Sequence, residues 1–180
     1  AEGEVVTAAF DIILTDDDSA VASERVTITI TGANDAPTST ASSVPMPVLS
    51  EDSSAQATIA NLFDGAGANS TFLDNLDFSG AGDNLAGVVI VNNAANSSQG
   101  TWKYQLSGSM VAWDVSPSWK PALSLSEGLF LPADALISFI PAPDWNGQAG
   151  SLTVRLVDDS HGDLPAAESR IDLSGVGATG

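Results

Sequence analysis

With 180 residues, 43% of them hydrophobic, the chain can form one large domain, or one domain and part of another, around a proper core. Twenty-three Asp and Glu against five Lys and Arg give a formal charge of -18, so few cations are available to meet nucleic-acid phosphates, and nucleic acid is not an expected partner. No cysteine is present to staple the fold, and no apolar run approaches a membrane span, so no membrane insertion is expected.

The opening AEGEVV lacks the pattern of a signal peptide and is expected to continue a longer chain. In 8–15, Phe10, Ile12 and Leu14 alternate with other residues, and in 26–31 Val26, Ile28 and Ile30 alternate with Thr27, Thr29 and Thr31. Period-two alternation predicts half-buried strands. Residues 56–63, QATIANLF, read as a strand or a short helical turn, and GVVIV at 87–91 as a strand buried on both faces. Trp102, Tyr104 and Leu106 mark a further strand face, as do Val111, Trp113 and Val115. Ile137 and Phe139 precede a stop at Pro141, PADA at 132–135 is a candidate helical turn, and two more faces are Leu152, Val154, Leu156 and Ile171, Leu173. Turn-forming Gly, Asn, Asp, Ser and Pro separate the runs. Many short strands with little helix predict an all-β antiparallel sandwich or barrel. These β-branched and aromatic runs argue against disorder, which leaves bound cations to balance part of the charge.

Residues 10–32, FDIILTDDDSAVASERVTITITG, and 152–175, LTVRLVDDSHGDLPAAESRIDLSG, share one pattern. Each has a strand, an acidic turn, a Ser/Glu/Arg cluster and an alternating strand closed by Gly, and a one-residue gap aligns them. The repeated unit is predicted to be a hairpin of two long strands that ends a domain. Residues 1–31 are then the C-terminal hairpin of a preceding domain, 32–38 a linker, and 39–180 a larger sandwich domain, short of its extreme C-terminal part or interrupted by an insertion. A lone hairpin is marginal in water, so the first is expected either to pack on something the present chain supplies or to be poorly ordered.

The run VTITITGANDAP at 26–37 resembles the inter-domain junction of bacterial cadherin-like and VCBS-type repeats found in giant RTX, biofilm-associated adhesins. Residues 137–158, ISFIPAPDWNGQAGSLTVRLVD, and the LxVxxxDxxGxxPxxxS pattern at 152–169 resemble segments of the same repeats. The resemblance implies Ig/cadherin-like Greek-key sandwiches stacked end to end, with Ca2+ at the joints, in an extracellular protein of the bacterial cell surface. It implies a structural extender module for cell adhesion and biofilm formation. Its partners are neighbouring domains of the same polypeptide, and a host-cell or biofilm glycan or protein met through an adjacent module. The 39–180 stretch is longer than a repeat of about 100 residues, which points to a specialised module.

Calcium takes six to eight hard oxygen ligands, so acidic turns beside a polar junction suit it. Four clusters qualify: Asp16, Asp17 and Asp18; Asn34 and Asp35; Glu51 and Asp52; Asp158 and Asp159, with Asp163 beyond. The resemblance casts Asn34 and Asp35 as linker ligands and Asp158 as the turn aspartate reaching back to that joint. By the same resemblance, Asp16 would serve an earlier joint and Glu51 a following one. Asp74, Asp77 and Asp83 read as solvated loop residues. The single histidine, His161, lies in an acidic loop without a nucleophile elbow, and no enzyme is expected. The alternative function is a carbohydrate- or peptide-binding module of the same adhesin using the 102–119 region. Trp102, Tyr104, Trp113 and Trp145 read as packing residues, which leaves Trp119, in SPSWKP, as the ligand-binding candidate.

Overall fold

A computed structural model describes residues 5–32, 36–46, 54–65, 71–74, 84–159 and 164–175. Its strands are β1 (Val5–Thr15), β2 (Val21–Thr31), β3 (Thr38–Ser39), β4 (Ala55–Thr58), β5 (Phe72–Leu73) and β6 (Leu85–Asn93). They continue with β7 (Gly100–Gln105), β8 (Trp113–Asp114), β9 (Gly128–Pro132), β10 (Leu136–Pro141), β11 (Leu152–Asp158) and β12 (Arg170–Ile171). One short helix, α1 (Ile59–Phe63), follows β4, so QATIANLF divides between strand and helix. Thr58 caps α1 by accepting a hydrogen bond from the Asn61 backbone N–H. Residues 133–134 of the PADA segment form a turn and no helix, because Leu136 at once rejoins a sheet.

The body contains two four-stranded antiparallel sheets, ordered β4-β10-β7-β8 and β11-β6-β9-β12, and a short antiparallel β3-β5 pair. Both four-stranded sheets contribute to one core. Val88, Ile90, Leu129 and Leu131 from one sheet join Trp102, Tyr104, Ile137 and Phe139 from the other. Two sheets sharing a core in this way are consistent with a β-sandwich. Phe139 is fully buried and meets Trp102 and Trp145 edge-on, at centroid distances of 5.2 and 5.6 Å. The Trp102 indole N–H donates to the Gly150 carbonyl at 2.7 Å, which satisfies its one polar atom. Central β6 is buried on both faces: Val88 and Ile90 enter the main core, while Val89 and Val91 join Phe130 in a second cluster. Gly100, at φ +144°, lies opposite Pro141, where a Cβ would collide with the Ile140 carbonyl oxygen.

The β9 run, GLFLP, is a central strand that the sequence pattern did not single out. It has no period-two alternation because both of its faces are covered. The expected Val111-Trp113-Val115 core face is corrected. Val115 is fully buried, but Val111 and Trp113 are exposed, because β8 is a two-residue edge strand with one neighbour.

The two sequence copies fold differently. β1 and β2 form a regular hairpin paired from Val5↔Thr31 to Thr15↔Val21. β11 and β12 lie at opposite edges of one sheet, separated by β6 and β9, so the second copy is not the predicted hairpin. The β11 ladder is taken by β6, and β12 pairs with β9. Every described side chain of the first hairpin is exposed. One face carries Val6, Phe10, Ile12, Leu14, Val26, Ile28 and Ile30 with Glu24; the other carries threonines, Val5, Ile13, Val21 and the Asp11–Arg25 ion pair at 3.6 Å.

Candidate functional site

The residues expected to bind cations fall into two groups. Asn34, Asp35, Glu51 and Asp52 lie outside the described residues, as do Asp77, Asp83, His161 and Asp163. Asp16, Asp17 and Asp18 form the exposed turn of the first hairpin. The Asp16 carboxylate accepts the Ala20 backbone N–H at 2.7 Å, and Ser19 takes φ +66° to close the loop. Turn chemistry accounts for Asp16 at that position. Asp158 ends β11 at 6% exposure. Asp159, next to it, is exposed and bound at both oxygens by Asn84: the backbone N–H donates at 2.8 Å and the side-chain amide at 3.1 Å. The Asn84 backbone donor, and then its side chain, hold the Asp159 carboxyl below the ordinary aspartate range. Among the described residues, no three or more His, Cys, Asp or Glu side chains lie together. Also among the described residues, no helix is long and apolar enough to cross a membrane.

A groove of about 380 Å³ lies among the described residues. It opens beside the edges of the two sheets. Lys103 and Tyr104 of β7, Trp113 and Asp114 of β8, Leu129 of β9 and Arg170 of β12 line it, together with Pro117, Trp119, Lys120 and Glu168 from loops. Its volume falls in the range of small-ligand sites, roughly 300–1,000 Å³. Three of the chain's five basic residues meet here, in a molecule whose formal charge is -18.

Each cation is held differently. The Lys103 ammonium donates to an Asp114 carboxylate oxygen at 2.7 Å. The Lys120 ammonium lies 5.0 Å from the Trp119 ring centroid, over its face. Arg170 donates through Nη1 to the Glu127 carbonyl at 2.8 Å. Its Nε and Nη2 are covered and have no hydrogen-bond partner, an unfavourable state for charged donors. Glu168 takes a left-handed backbone conformation, φ +66°, which is costly for a residue with a Cβ. Tyr104, on the inner wall, has its phenol pushed above the usual tyrosine range, first by burial and then by Glu168, against a smaller opposing influence of Arg170.

Of the expected ligand-binding residues, Trp119 is placed on this groove, loop-borne and 71% exposed. Trp113, expected in the core, is half-exposed beside it. The sequence reading missed Lys103, Lys120, Glu168 and Arg170. The available signal was that both lysines follow a tryptophan, as Trp102-Lys103 and Trp119-Lys120, in a chain otherwise poor in cations. Among known proteins, no family model, no curated protein and no solved structure matches this chain.

Proposed function

We propose that this chain is a structural module of a modular bacterial surface adhesin, an Ig/cadherin-like Greek-key sandwich stiffened by Ca2+ where it meets its neighbours. The observation that carries this reading is the first hairpin, whose apolar face is exposed along its whole length. Residues 10–16, FDIILTD, align with 152–158, LTVRLVD, where Leu152, Val154 and Leu156 pack against the main core. By that alignment, Phe10, Ile12 and Leu14 belong against an equivalent core, supplied by a neighbouring module of the polypeptide. The VTITITGANDAP run joins hairpin to sandwich and carries the resemblance to adhesin junctions.

Calcium enters this reading through charge. Acidic turns near a junction repel one another without a counter-ion, and a bound divalent cation converts a flexible link into a stiff one. Asn34, Asp35 and Asp158 are the proposed joint ligands. Asp159 is a candidate beside them, Glu51 and Asp52 are candidates for a following joint, and Asp16, Asp17 and Asp18 for an earlier one. The test is a calcium titration of the full chain at fixed ionic strength, following melting temperature and hydrodynamic radius, with magnesium as the control. Calcium is expected to raise the first and to alter the second. No change in either would reject calcium stiffening.

The groove supports a second reading, in which the same module also binds a small ligand beside Trp119.

A further inference from the structure

We infer that the groove between Trp113, Trp119 and Arg170 is a binding site for a carboxylated sugar, a saccharide whose pyranose ring bears a carboxylate. The inference rests on the ligand-binding reading and names the ligand class.

Two indole side chains stand exposed at a concavity, Trp113 at 49% and Trp119 at 71%. Apolar rings at a wet groove suit a ligand with an apolar C–H face and a polar rim, as a pyranose has. Charge then selects among sugars. The groove gathers Lys103, Lys120 and Arg170 against Asp114 and Glu168, an excess of one positive charge where the chain as a whole is strongly negative. Lys103 is already paired with Asp114. Lys120, resting on Trp119, and Arg170, with two unmatched guanidinium nitrogens, lack an anionic partner within salt-bridge distance among the described residues. One carboxylate seated in the groove supplies it to Lys120, with Arg170 also lining the groove. Glu168 and Asp114 supply acceptors for sugar hydroxyls.

The same arithmetic excludes a polyanion. One excess positive charge accommodates one carboxylate, and further anionic units meet the negative surface beyond the groove. At physiological salt that repulsion is screened over about 8 Å, so a single charge seated inside the groove escapes most of it.

The experiment follows the tryptophan indole N–H signals of the full chain by two-dimensional NMR at physiological ionic strength. The titrants are glucuronate, N-acetylneuraminate, glucose, acetate and a short acidic peptide. Saturable shifts at Trp113 and Trp119, with Trp102 and Trp145 unmoved, are expected for one or both carboxylated sugars. Their affinity should be at least about tenfold above glucose and acetate. Lys120→Gln and Trp119→Ala should each weaken binding by roughly tenfold, read at Trp113, with melting unchanged because both side chains sit at the rim. Comparable binding of glucose, or preference for the peptide, would overturn the carboxylated-sugar assignment while leaving a ligand-binding groove. No saturable shift with any titrant into the tens of millimolar would overturn both. Unaltered affinity in Lys120→Gln would remove the electrostatic basis of the inference.

Discussion

Tyr104 shows how one side chain can belong to the core and to a site at once. Its ring packs with Ile137 and Phe139 in the main cluster, while its residue also lines the groove that Glu168 and Arg170 share. Burial disfavours the phenolate, and the nearby Glu168 carboxylate disfavours it further. The sign follows from linkage: the neutral phenol is the form the fold favours. The stabilisation is therefore fully present below the unfolded value near 10, and it is lost as pH climbs from there towards the higher folded value. Tyr104 is the only tyrosine in the chain, so ultraviolet absorbance of phenolate reads it without interference. The expected titration shows no tyrosinate near the ordinary pKa, and ionisation accompanies alkaline unfolding. A reversible midpoint near 10 in the folded protein would contradict the burial described.

At the scale of elements, the two sequence copies offer an internal comparison. Ile12 in β1 aligns with Val154 in β11. Ile12 is 49% exposed, whereas Val154 is partly buried against the main core. All four tryptophans, Trp102, Trp113, Trp119 and Trp145, lie in the body and none in the hairpin, so their fluorescence reports melting of the sandwich alone. Ile12→Asp is expected to leave that melting within about 0.5 kcal/mol of the parent, the usual range for a surface change. Val154→Asp is expected to destabilise the sandwich by about 3 kcal/mol or more, because a carboxylate then faces an apolar core. Equal effects of the two would mean that the hairpin packs on the body after all. The same comparison shows where pattern reading stops. Alternation marks which face of a strand is apolar. It does not say whether the next strand pairs with it or crosses the sheet, as β12 does to reach β9.

For the whole molecule, charge dominates. A formal -18 on 180 residues opposes compaction. Screening should relieve part of that cost. Raising sodium chloride from low to moderate concentration is expected to raise the melting temperature by roughly 2–4 °C, the shift that about 1 kcal/mol produces in a chain of this size. Calcium at the same ionic strength should exceed that rise if it is held at specific sites. A calcium effect no larger than that of sodium would mean screening alone.

The residues by themselves determined the all-β class, the doubly buried run at 87–91, the core roles of Trp102 and Tyr104, and the loop position of Trp119. Those properties follow from local periodicity and turn chemistry, which are written in neighbouring positions. Only the tertiary structure decided that β9 is a central strand, that β8 ends a sheet and leaves Trp113 in the open, and that Lys103, Lys120 and Arg170 share one groove. Lys103 and Arg170 lie sixty-seven positions apart and in different sheets, with Lys120 on a loop between them in sequence, and only the fold brings the three together. Long-range strand pairing depends on which ladder edges are already taken, and no local pattern encodes that.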